Sequence, residues 1–127
     1  MKTLLIAALL LLAACTPVTT TTPGVRLHAE AVSPSAVRLT LDNGTQAQIG
    51  YNLCASRLQR RDGAEWTPVQ TDEVCTMELR TLNPGADATF EKQLPASLPA
   101  GEYRYVTNVE SPLGSSQTAV ASNTFTR

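Results

Sequence analysis

From Gly24 to the C terminus, apolar residues recur at every second position and turn-forming residues interrupt them about every ten. This is the pattern of short, half-buried β-strands. Val25, Leu27, Ala29 and Ala31 alternate with Arg26, His28 and Glu30, which predicts a first strand with one face in a core. Val37, Leu39 and Leu41 against Arg38 and Thr40 predict a second. Asp42-Asn43-Gly44 follows, residues that tolerate positive φ and read as a hairpin turn. Ile49, Tyr51, Leu53 and Ala55 form the inward set of a third strand, whereas Cys54 and Leu58 have the opposite parity, so a bulge is expected between Ala55 and Leu58.

Asp62-Gly63 predicts a tight turn into a short strand carrying Trp66 and Val69, placed at a sheet edge because Pro68 has no ladder donor. Met77 and Leu79 continue the parity of Cys75 in a further strand. After the Pro84-Gly85 turn, Ala88 and Phe90 alternate with Asp87, Thr89 and Glu91. Residues 94–101, LPASLPAG, hold two prolines and cannot form a central strand. Tyr103, Tyr105, Thr107 and Val109 then face one way in the cleanest alternation of the chain. A last strand over 117–125 has Ala119, Ala121 and Phe125 as its inner set. No segment past Gly24 has a helical period, so the fold class expected is all-β, a sandwich of seven or eight antiparallel strands.

The length of 127 residues suffices for one domain with a core. Apart from Lys2 the first fourteen residues are uncharged, leaving nine basic and eleven acidic residues in the remainder. Such near-neutrality argues against a nucleic-acid binder, which needs a basic face.

Met1 and Lys2, the apolar run 4–14 and the small pair Ala13 and Ala14 have the build of a secretory signal. The run is too short for a membrane span of about 20 residues. Leu12-Ala13-Ala14-Cys15 resembles the lipobox of bacterial lipoproteins. That resemblance implies a diacylglyceryl thioether on Cys15 and attachment to a membrane through it. Thr16 in place of the aspartate that retains lipoproteins in the inner membrane implies an outer-membrane location facing the periplasm. Residues 16–24, TPVTTTTPG, have little to bury and read as a tether. The expected organisation is a lipoprotein signal over 1–14, lipidated Cys15 and tether over 15–24, and the sandwich over 25–127.

With Cys15 acylated, Cys54 and Cys75 remain as one pair in an oxidising compartment. A hairpin centred on Asp62-Gly63 would set Cys54 opposite Thr71, so the bridge requires the segment from Gln70 to Val74 to fold back, or another strand to bring Cys75 in. Metal ligation and a reactive thiol are the competing readings. The chain has no Cys-x-x-Cys, and its single histidine, His28, lies in a different segment.

Leu98-Pro99-Ala100-Gly101-Glu102-Tyr103 resembles the entry to a tyrosine corner, with Tyr105 where antibody domains carry their second cysteine. The series Leu39–Asn43, Ile49-Gly50-Tyr51, Leu58 to Trp66, Leu82-Asn83-Pro84-Gly85 and Gly101–Arg104 resembles the bacterial immunoglobulin-like domain of small exported lipoproteins over about residues 36–108. The resemblance implies a β-sandwich without an assigned activity. A similar layout occurs in a bacterial intracellular proteinase inhibitor family.

His28, flanked by Leu27 and Ala29 on a predicted solvent face, has no nucleophile and carboxylate arranged about it as a hydrolase requires. Asp72 and Glu73 are adjacent loop residues rather than facing carboxyls. No catalytic residue, cofactor or metal is therefore expected. Arg57 and Arg61 share a strand face, and with Trp66, Asp72 and Glu73 they form the candidate interaction surface for an envelope protein partner of unknown identity. The loop from Gln70 to Val74 is its centre. The function expected is a lipid-anchored structural or protein-interaction module. The alternative is an exported inhibitor of a protease or cell-wall hydrolase acting through that loop.

Overall fold

The computed structural model describes residues 22–127. The export signal over 1–14, Cys15 and most of the tether lie outside the described residues. Two antiparallel sheets pack face to face. The first is β1 (Val25–Ser33), β2 (Ala36–Asn43) and β7 (Asp87–Gln93), in the order β1-β2-β7. The second is built around β8 (Glu102–Glu110). β3 (Ile49–Tyr51) and β4 (Arg57–Asp62) lie end to end along one edge of β8, and β9 (Gln117–Ala121) and β10 (Phe125–Thr126) along the other. β5 (Glu65–Pro68) adds to β4 and β6 (Arg80–Leu82) to β3. The expected all-β sandwich is thus observed, with two of its long strands interrupted.

Alternation decides the core. Leu27, Val37, Leu39 and Leu41 from the first sheet meet Ile49, Leu58, Tyr103, Tyr105 and Val109 from the second, all at 6% exposure or less. Fully burying each such side chain is worth about 1.5–3 kcal/mol. The Tyr103 hydroxyl donates to the Pro99 carbonyl, which ties the 94–101 connection, with its buried Leu98, to the start of β8.

Five local expectations are corrected. Asp42-Asn43-Gly44 does not form a hairpin: β2 and β3 belong to different sheets, and the chain crosses the sandwich here. Asn43 is 1% exposed because its amide holds that crossing, donating to Ala47 O (2.9 Å) and Leu82 O (3.0 Å) while its Oδ1 accepts from Thr45. Between β3 and β4 there is a single 3-10 turn (Leu53–Ala55) rather than a bulge, and Ala55 is exposed instead of inward. Five residues, 52–56, stand where two of β8 pass, so the strand buckles and resumes with its parity changed.

Residues 69–79 belong to no strand, so Met77 and Leu79 do not continue one. The β4–β5 turn is Gly63-Ala64, with Asp62 paired to Glu65 and Gly63 at φ 62° as a two-residue hairpin requires. In the last strand the buried residue is Val120, not Ala119 or Ala121. Three residues, 122–124, face two of β8, and this extra residue restores Phe125 to the inner side against Tyr103. At the same break the Asn123 side chain pairs with both backbone groups of Ala29, accepting at 2.8 Å and donating at 3.0 Å. The free edge of β1 is thereby covered.

Candidate functional site

The irregular segment between β5 and β6 is the most distinctive surface of the domain. Between the Leu58–Val69 hydrogen bond and the Tyr51↔Arg80 pair, ten residues on this edge oppose six on the other strand. The excess cannot stay in a ladder and loops outward. Two devices fix it. Cys54, in the 3-10 turn, is disulfide-bonded to Cys75 with Cα atoms 5.7 Å apart, and the Asn52 amide donates to Thr76 O at 2.8 Å. The fold-back required for this bridge is supplied by the extra loop residues.

The second device is an ion pair. Lys92 follows Ala88 and Phe90 on the inward face of β7 and is 2% exposed. Its ammonium donates to the Cys54 carbonyl at 2.6 Å and to the Glu73 carboxylate. A buried ammonium needs such partners, since the desolvation of an unpaired charge is prohibitive. Lys92 therefore joins the edge of the first sheet to both anchor points of the loop. It also lies 5.9 Å from the Tyr105 ring centroid. Burial, and secondarily the charge of Glu73, hold the Tyr105 hydroxyl well above the usual tyrosine range.

The sign of the linkage follows from that direction. The folded state keeps the Tyr105 proton where the unfolded chain, near pH 10, releases it. Tyr105 thus contributes stability that is complete below pH 10 and is lost as the pH rises beyond. An alkaline titration followed by tyrosinate absorbance is expected to show a step that coincides with loss of the fold, and Tyr105→Phe should diminish that step.

Beyond the two anchors the loop presents Val74 and Met77, each 96% exposed, and Leu79, 47% exposed. A groove of about 310 Å³ runs beside it, lined by Tyr51, Leu53, Val74, Cys75, Thr89 and Phe90. Glu73 is thus occupied by Lys92, while Asp72 stays exposed on the same loop. Arg57, Arg61 and Trp66 lie on the outer face of the second sheet, where Arg57 borders a groove shared with Met77, Glu78 and Leu79 of the loop, while Arg61 and Trp66 sit toward the β4–β5 turn.

Sequence reasoning missed Lys92 and Arg104. The parity of Ala88 and Phe90 already placed Lys92 inward. No local signal joined Arg104 to Trp66, because the two strands meet only through β4. His28 is exposed on β1, and among the described residues no group of three His, Cys, Asp or Glu is placed to hold a metal ion.

No family model matches the chain, and no curated protein matches it. Among solved structures it is similar to the archaellum periplasmic stator protein FlaG from Sulfolobus acidocaldarius, with 18% identity and a TM-score of 0.51 over 80% of this chain and 99% of that one. At this identity the likeness is one of fold.

Proposed function

We propose that the chain is an exported, lipid-anchored immunoglobulin-like module that binds another envelope protein through the stapled loop 70–79 and carries out no catalysis. The observation behind this reading is the pair of fully displayed apolar side chains, Val74 and Met77, on a loop held by a disulfide and a buried ion pair. Large apolar groups left in water on a braced loop suit a protein contact, because little conformational entropy remains to be lost on binding. The disulfide fits an oxidising compartment, in keeping with the export signal and with acylation at Cys15. The solved neighbour is a periplasmic stator protein, and a structural role in the periplasm is the corresponding proposal for this chain; its place on the outer membrane rests on Thr16 after Cys15.

Palmitate labelling followed by membrane fractionation tests the anchor. The wild-type chain is expected to take up label and pellet with membranes, and Cys15→Ala to lose both properties. An unlabelled, soluble wild type would remove the anchor. A photocrosslinker at position 77 tests the contact in the native envelope. Capture of one discrete protein, lost on Val74→Glu, is expected, and absence of any adduct would count against the loop. A braced, exposed loop is also what a hydrolase inhibitor presents. Inhibition of a protease or cell-wall hydrolase by the purified protein, lost with the same substitution, would favour that second reading.

A further inference from the structure

The outer face of the second sheet carries a preformed cationic surface. Cross-strand register places Trp66, Arg61 and Glu102 in one row, Pro68, Gln59 and Arg104 in the next, and Arg57 beside Val106 in the third. The Arg104 guanidinium stacks 4.3 Å from the Trp66 ring centroid and donates to Gln59 Oε1 at 2.8 Å. Arg61 lies over the same ring at 5.9 Å and is paired with Glu102 at 3.3 Å. Arg57 meets the amide of Asn108 at 3.4 Å.

Among the described residues neither Arg57 nor Arg104 forms a salt bridge; Glu78 borders the same groove as Arg57, while Arg104 has no carboxylate partner. The remaining outward carboxylate of β8, Glu110, packs over Gly50 at the far end of the sheet. Stacking on Trp66 holds Arg104 and Arg61 in place without discharging them, since a guanidinium stays protonated. Fixed planar cations beside an indole match anionic phosphate oxygens at a lipid–water interface, where Trp partitions favourably and each basic group adds electrostatic attraction.

Charge complementarity favours an anionic surface, and the length of the tether permits a membrane to supply it. Thr22 hydrogen-bonds through its hydroxyl to Thr118 of β9 at 2.7 Å, on the core side of that edge strand, where Thr118 pairs with Val109. From Cys15 to Thr22 seven residues span at most about 24 Å. Strands are about 4.8 Å apart, which puts Arg57 of β4 some 10 Å across the sheet from β9. A membrane held at Cys15 is thus within reach of this face.

We infer that the Arg57, Arg104 and Trp66 face of the second sheet docks on the anionic phospholipid headgroups of the membrane that carries the chain. This inference rests on the anchored reading above.

Trp66 is the only tryptophan, so its emission reports on this face. The mature acylated protein would be reconstituted into phosphatidylcholine vesicles with and without phosphatidylglycerol. A blue shift of Trp66 is expected only with phosphatidylglycerol, reversed by high salt and lost in Arg57→Glu and in Arg57→Glu with Arg104→Glu. Equal emission in both vesicle types, from protein that stays with the vesicles, would overturn the face and leave the anchor standing. Protein that fails to stay with phosphatidylcholine vesicles would overturn the anchor. Its Trp66 response to added phosphatidylglycerol vesicles would still judge the face. Inorganic phosphate at matched ionic strength separates free anion from headgroup: loss of the shift would assign the face to soluble phosphate and overturn the lipid proposal.

Discussion

Lys92→Met is expected to destabilise the domain by about 3 kcal/mol, measured by urea unfolding at neutral pH. Methionine keeps most of the volume on the inward face of β7, so packing is largely preserved and the change isolates the ammonium. What is lost is the donor to the Cys54 carbonyl and the counter-ion of Glu73. Breaking a buried pair by removing one member costs about 3–5 kcal/mol, and the Glu73 side chain at 26% exposure can regain some water, which places the effect at the lower end. Adding Glu73→Leu to Lys92→Met should recover part of the loss, because a carboxylate no longer stands without its partner. A cost below about 1 kcal/mol for the single substitution would mean that the loop is held without the ion pair.

Removing the disulfide by Cys54→Ala with Cys75→Ala is expected to cost about 3 kcal/mol. The bridge closes a separation of 21 residues, and the chain entropy it withholds from the unfolded state is of that order. For a domain of this size each kcal/mol lowers Tm by about 4–8 °C, so the melting temperature should fall by roughly 12–24 °C. The two changes should not add independently, since the bridge and Lys92 restrain the same loop. An unchanged melting temperature in the double alanine variant would mean that the staple contributes nothing to the fold. If both devices serve a protein contact, each variant should also weaken crosslinking from position 77, through a looser loop rather than a lost side chain.

Much of the architecture is visible in the alternation alone. The inward parity of Val37, Leu39 and Leu41, and of Tyr103, Tyr105, Thr107 and Val109, is a backbone consequence of the pleat and needs no distant partner. The edge position of β5 followed from Pro68. Where parity failed, a long-range feature had intervened. At Val120 the one-residue excess of 122–124 flips the strand end, because Asn123 turns aside to cover β1. At Asn43 a residue with good hairpin chemistry serves a crossing between sheets, and a buried amide network rather than local propensity decides its conformation.

The candidate surfaces divide in the same way. That Cys54 and Cys75 pair is expected once Cys15 is set aside as acylated, and the structure joins them. That Arg57 and Arg61 share a face follows from their spacing. The partner of Lys92, the stacking of Arg104 on Trp66 and the display of Val74 and Met77 arise only when register is set between segments far apart in the chain. The sequence by itself determined most of the strands and the faces of the uninterrupted ones, because these depend on neighbours one or two residues away. Tertiary structure alone decided the stapled loop and the cationic face, because both depend on how many residues each strand contributes between fixed pairings, a quantity that no local pattern encodes.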